Sequence, residues 1–481
     1  MVNSLMPCHL GVILATSVCL FLTGCGKEKT AANATASRAT KASGASGAKP
    51  EDRFRWNFKT LTEAYLEHGH RDAAWDEFAT NALTQFARYR SGLVVSDGLE
   101  SDEVARNSRQ ALARGCADPM VLYLHARFVL AFQEETAPNE LADAYRKSAA
   151  AVNTAPCPPI RKFYIYLRGS EALNAGRGGK ADLPQIHSLR RGAAYALQLA
   201  LEDETMPVAE AYDAMRDLLT SVNNNSAEAA EFSQRINPLL LARWPNEPLI
   251  LLLQGSGLIE EAWRARGNAT ATAVTPEGWE GFRRLLAQAS SSLEKAWQLD
   301  SSEPRIASEM LRVELGEGKG RERLELWFGR AMALNTNFYE ACYRKLYYLE
   351  PKWYGSTEAM LAFGRECVES TRWGGTVPLT LVDAHYSLAA QANENGNTNY
   401  YKNPQVWTDI QSAYEKYFTL NPNDAYRRRN YAWYAYACEQ WNVFNKQLPL
   451  MGQTNFAFFG GKETFERMVK LAQEKTAARN N

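Results

Sequence analysis

The chain has 481 residues, with 54 Lys and Arg against 54 Asp and Glu, 46% hydrophobic residues and 22% charged residues. That length exceeds one ordinary domain, the composition excludes a wholly disordered or collagen-like chain, and the lack of a basic excess argues against a nucleic-acid partner. The charge is unevenly spread: the first fifty residues carry Lys27, Lys29, Arg38, Lys41 and Lys49 against Glu28 alone, so the body is mildly acidic.

Residues 1–24 contain no Asp, Glu, Lys or Arg, and residues 10–22 form an apolar run. The run is shorter than the about 20 residues of a membrane-spanning helix and fits the apolar region of an export signal. It ends in Leu22-Thr23-Gly24-Cys25. Small residues before a Cys at this place resemble the lipobox of bacterial lipoproteins. The resemblance implies cleavage before Cys25, lipidation of its sulfur, and an exported protein held on a bacterial membrane. Gly26 in place of Asp implies the outer membrane, facing the periplasm. One feature departs from the pattern: the segment MVNSLMPCH carries no Lys or Arg. Residues 25–50 are rich in Ala, Ser, Thr and Gly, a composition that buries too little apolar surface to order itself, and read as a flexible tether.

From about residue 51 the pattern is helical. Trp75, Phe78, Leu83, Phe86 and Tyr89 recur at helical spacing within residues 72–89. Ser101-Asp102-Glu103 opens a helix that runs to Arg114 and stops at Gly115, and Asp118-Pro119 opens the next. No alternating β-branched run is present, so the expectation is an all-α body of about 18–20 helices without a sheet. One helix ending recurs: Leu293 to Leu299-Asp300, Phe328 to Leu334-Asn335, and Tyr414 to Leu420-Asn421-Pro422, with a looser copy at Ala111 to Gly115 before Asp118-Pro119. These endings resemble tetratricopeptide repeats. The resemblance implies a solenoid, an α-α superhelix of stacked antiparallel helix pairs, degenerate over residues 51–260 and closer to pattern over 261–481. A single helix pair cannot bury its apolar face alone, which is why such pairs stack. Leu299 and Leu334 are expected at equivalent buried positions. The ordered series from Ala262-Trp263 through Glu350-Pro351-Lys352-Trp353 to Phe363-Gly364 resembles a bacterial domain family of unknown function over about residues 262–367, which implies no activity.

Chemical motifs are sparse. There is no phosphate loop, no zinc-protease helix and no nucleophile elbow. The Gly-rich stretch 174–180 has no strand before it and reads as a turn. His68, His70 and Asp72 read as a polar turn, and His125 and His385 as residues of apolar helices. No catalytic, cofactor-binding or metal-binding residue is assigned, and no cofactor is expected. The body holds Cys116, Cys157, Cys342, Cys367 and Cys438 without a CxxC pair. The last three fall within helix patterns and read as buried small apolar residues. Export permits disulfides, and Cys116 and Cys157, each just beyond a helix end, are the candidate pair. Aromatic residues crowd the segment 401–459. Tyr431, Trp433, Tyr434 and Tyr436 point to about 0°, 200°, 300° and 140° around one helix. One core stripe cannot hold them all, so the helix is either covered on two sides or offers an aromatic to a partner. With Arg427 just before them, these residues are the candidate partner surface. The expected function is a membrane-anchored scaffold for protein–protein interaction in the cell envelope. The alternative is an envelope hydrolase that cleaves glycans, which requires a cleft carboxyl whose pKa is raised by burial.

Overall fold

A computed structural model describes residues 49–480 apart from 94–98, 133–137, 176–182, 223–225 and 453. The segment read as an export signal, Cys25 and nearly all of the segment read as a tether lie outside the described residues, as does most of the Gly-rich stretch. Among the described residues every element is a helix and none is a strand. The chain divides into two compact units between Glu303 and Pro304.

In the first unit, α1 (Pro50–Phe58) passes through one π-helical turn (Lys59–Glu63) into α2 (Ala64–His68). There follow α3 (Asp76–Ser91), α4 (Leu99–Ala113), α5 (Pro119–Phe128), α6 (Pro138–Thr154), α7 (Pro159–Ala175) and α8 (Leu183–Ala200). The unit closes with α9 (Val208–Ser221), α10 (Ser226–Arg243), α11 (Pro248–Arg266) and α12 (Pro276–Leu299). Helices adjacent in sequence pack on each other, α3 on α4, α5 on α6, α7 on α8 and α11 on α12. The local signals explain the boundaries. Gly115, at φ 98°, turns the chain after α4 in a conformation that favours glycine. Asp118 then accepts from the backbone N–H of Met120 (2.9 Å) and Val121 (3.2 Å), capping α5, while Pro119 occupies the first turn, where an N–H is dispensable. His68 ends α2, and the segment through Asp72 is the turn before α3.

The second unit contains α13 (Pro304–Glu317), α14 (Arg321–Leu334), α15 (Tyr339–Tyr348), α16 (Thr357–Glu369) and α17 (Thr380–Glu394). It continues with a 3-10 turn (Tyr400–Lys402), α18 (Pro404–Leu420), α19 (Ala425–Ala437), α20 (Trp441–Gln447) and α21 (Lys462–Asn480). Here α13 packs on α14, α16 on α17, and α19 on α20.

The repeated helix ending is structural as well as sequential. Asp300 N–H bonds Ala296 O at 2.9 Å, Asn335 N–H bonds Ala331 O at 3.0 Å and Asn421 N–H bonds Tyr417 O at 2.9 Å. The three caps leave the helix at φ/ψ of −145/96°, −141/98° and −137/68°. The expected burial of the leucines is corrected: Leu299 is 50% exposed, Leu334 39% and Leu420 45%. In α12 the buried stripe runs Leu286, Ala289, Leu293, Ala296 in steps of three and four. The next step falls on the cap, Asp300, so Leu299 stands off the stripe. Leu334→Ser is therefore expected to change stability by no more than about 0.5 kcal/mol in a denaturant titration. A loss several times larger would restore the leucine to the core.

The expected disulfide is also corrected. Cys116 and Cys157 are both free, the first buried behind α4 and the second half-buried ahead of α7. Burial pushes the two thiols up to about 11 and about 12, with the Asp118 carboxylate adding to it. The thiols that the fold does bring together are Cys342 on α15 and Cys367 on α16, both fully buried. Cys438 is buried as well.

Candidate functional site

Helix α19 is covered on two sides. Tyr431 and Tyr434 are buried in the core of the second unit, and Trp433 and Tyr436 are half-buried against it. Tyr431 stacks on Trp407 at 5.7 Å and on Tyr414 at 4.7 Å, both from α18. Trp433 meets Tyr401 edge-on at 5.9 Å, and Tyr436 lies 5.4 Å from both Trp441 and Phe444. Most of the ring surface that the sequence offered as a partner surface is therefore spent on packing within the unit.

Arg427 has a different environment. Its guanidinium has no carboxylate within salt-bridge distance among the described residues, and it lies in the field of Tyr339, Tyr414 and Asp383. Asp383, on α17, is half-buried and accepts a hydrogen bond from the Tyr339 hydroxyl at 2.5 Å. Its other carboxyl oxygen accepts no hydrogen bond among the described residues. Burial pushes the Asp383 carboxyl up to about 6, while the Tyr339 hydroxyl and the Arg427 charge pull the other way. Asp383 thus keeps part of its surface exposed while burial raises its carboxyl. Tyrosines surround it. Tyr339, Tyr343 and Tyr347 follow one face of α15 at i, i+4 and i+8, and Tyr343 feels both Asp383 and Tyr386. Tyr386 stands one turn beyond Asp383 on α17, and Tyr414 and Tyr434 also lie within its electrostatic reach. Burial raises Tyr339, Tyr343, Tyr414 and Tyr434, so all four hydroxyls keep their protons and can donate.

A second network starts from the same helix, α17. The Tyr400 hydroxyl is 2.9 Å from Nδ1 of His385, and Nε2 of His385 is 3.1 Å from Oδ2 of Asp409. Arg365 grips both oxygens of Asp409, at 3.1 and 2.7 Å. His385 is 1% exposed, and burial lowers its pKa against the opposing pull of Asp409. Asp409 is held below the usual carboxylate range by Arg365 and His385 despite its burial. The neutral ring thus carries its proton on Nε2 towards Asp409 and accepts from Tyr400 on Nδ1. Tyr400 itself is pushed up to about 12 by burial and by Asp409. A weakened base facing a weakened acid does not move a proton readily. The hydroxyl–imidazole–carboxylate line instead pins the Tyr400–Lys402 turn, setting Tyr401 5.8 Å from Tyr434. The Tyr401 hydroxyl is buried without a hydrogen-bond partner among the described residues.

Of the residues singled out in the sequence, Arg427 and Tyr434 lie within electrostatic reach of Asp383. Asp383 and the α15 tyrosines were not singled out. The i, i+4, i+8 tyrosines and the acid inside the apolar run Leu381-Val382-Asp383-Ala384 were the readable signals. His385 is a core residue, as its apolar helix led one to expect. Compared with models of known protein families and with curated proteins, the chain matches none.

Proposed function

We propose that this chain is an exported helical-repeat lipoprotein, held through lipidated Cys25 on a bacterial membrane, the outer membrane on its periplasmic side, where it binds another envelope protein. The observation that carries the binding role is the polar cluster around Asp383. An acid with a free oxygen, an arginine without a carboxylate partner and a wall of protonated tyrosines are the side chains from which interface anchors are built. Helical-repeat surfaces bind through such extended faces without a catalytic constellation. Crosslinking followed by capture with the detergent-solubilised full chain tests it. Asp383→Ala and Tyr343→Ala are expected to lose a reproducible envelope partner while keeping the parent's circular dichroism. Undiminished capture by both variants moves the binding surface elsewhere. The anchor is tested separately: Cys25→Ala should leave the membrane fraction or remain unprocessed, because each buried CH₂ of the acyl chains contributes about 0.8 kcal/mol. Unchanged attachment and mass would refute it.

The glycan-cleaving alternative draws on the same carboxyl, since a general acid near pH 6 is what such chemistry uses. It also needs a second carboxyl at the scissile bond. No other carboxyl among the described residues acts on Asp383, which favours binding over hydrolysis. Release of soluble fragments from envelope glycan, abolished in Asp383→Asn, would reverse that order.

A further inference from the structure

The first unit holds a buried cationic cluster far in sequence from Asp383. Arg161, in the first turn of α7, is fully buried. Its Nη2 donates to Asn57 Oδ1 at 2.7 Å and to the Thr60 hydroxyl, on either side of the point where α1 enters its π-helical turn. Such turns are frequent at functional sites. The Trp56 ring centroid lies 5.5 Å from the guanidinium carbon. Nε and Nη1 of Arg161 have no acceptor among the described residues.

The carboxylates nearby are already engaged. Glu210, 0% exposed, accepts from Arg53 at 2.9 and 2.7 Å, from Arg90 at 2.8 Å and from Asn57 Nδ2 at 2.9 Å. Asp213 pairs with Arg53 at 2.9 Å. The Tyr164 hydroxyl accepts from Arg90 at 2.5 Å and is kept protonated by burial. Cys157, four residues before Arg161, is held as a neutral thiol, because burial pushes it up to about 12. Arg53 and Arg90 thus share Glu210, Arg53 and Arg216 share Asp213, and no carboxylate among the described residues pairs with the fully buried guanidinium of Arg161. An arginine cannot give up its proton to escape that cost. Burial pulls Arg161 down to about 10, with Glu210 opposing the shift and Arg90 adding to it.

We infer that Nε and Nη1 of Arg161 bind a monovalent inorganic anion of chloride's size inside the first unit, with Asn57 and Thr60 fixing the plane of the guanidinium. The single unpaired guanidinium of Arg161 sets the valence. The full burial of Arg161 sets the size, since a larger anion would have to displace the side chains packed around it.

The test uses the full chain at constant ionic strength, with chloride replaced stepwise by gluconate, which is too large to enter. The melting temperature is expected to rise by about 3–6 °C once chloride exceeds its dissociation constant about tenfold. Bromide should act in the same way, and Arg161→Met should lose the dependence. A flat response of the parent overturns the inference, as does a chloride dependence that survives in Arg161→Met. Should that variant fail to fold, crystals of the parent grown in bromide decide the matter. An anomalous peak within hydrogen-bond distance of Nε and Nη1 supports the site, and its absence refutes it.

Discussion

Glu210→Ala is expected to destabilise the first unit by about 3–5 kcal/mol, the usual cost of removing one partner from a buried ion pair. The reason is what remains: Arg53 and Arg90 lose their shared acceptor, Asn57 loses the carboxylate that orients it, and Arg161 loses the nearest negative charge. The same residue gives the unit a dependence on acid. Burial alone would raise the Glu210 carboxyl, but Arg90 and Arg53 bring it down to about 2, below its value of about 4.3 in an unfolded chain. Its folded pKa is depressed, so its contribution is complete above about pH 4.3 and is lost as the pH falls towards 2. Urea titrations of parent and variant between pH 7 and 2 check both statements. The difference in stability should be full at pH 7 and shrink at the acid end. A loss below about 1 kcal/mol at pH 7 would mean that the arginines reach other acceptors.

Asp383→Asn is expected to act in the opposite sense and stabilise the second unit. The Asp383 carboxyl titrates at about 6 in the folded chain and near 3.9 when unfolded. The folded state therefore binds the proton more tightly, and stability falls as the pH rises from about 4 to about 6. The shift corresponds to about 3 kcal/mol, and the partial exposure of the side chain reduces this to about 1–3 kcal/mol at pH 7. Asparagine keeps an oxygen for the Tyr339 hydroxyl and carries no charge. The variant should melt several degrees above the parent at pH 7, with the gap closing by pH 4, where both side chains are neutral. Other groups also contribute to the pH dependence of the unit, so the quantity to follow is the parent–variant difference. A variant less stable than the parent at pH 7 would show that Asp383 is a structural acceptor. A gain in stability together with a loss of partner capture is the pattern expected of a binding residue held at a cost to the fold.

Much of the fold was legible in the chain. Gly115, the Asp118-Pro119 pair and the Asp300 and Asn335 endings specify helix boundaries through local backbone chemistry, which depends little on what packs nearby. The apolar periodicity of α12 and the absence of β-branched alternation were sufficient for an all-α chain, because helical hydrogen bonds close within a few residues. Which face of each helix is covered was not local. Leu299 and Leu334 are as apolar as Leu293, yet they lie about 90–100° of helical phase off the stripe and stay exposed. Tyr431 and Tyr434 became core because α18 and the Tyr400–Lys402 turn close over α19. Residues that look alike along the chain are thus separated by about a quarter turn of helical phase and by which neighbour arrives.

The two sites were decided entirely by tertiary structure. Asp383 and Arg427 stand 44 positions apart in the sequence, and burial makes one acid of many a perturbed one. Arg161 and Glu210 were not singled out in the sequence. Only the approach of α1, α3, α7 and α9 shows that one carboxylate is shared and one guanidinium is left over. The physical reason is that propensity, capping and periodicity act over a few residues. Desolvation and charge balance are properties of everything within about 10 Å, the range over which buried charges interact, and the order of residues along the chain does not contain them until the helices have packed.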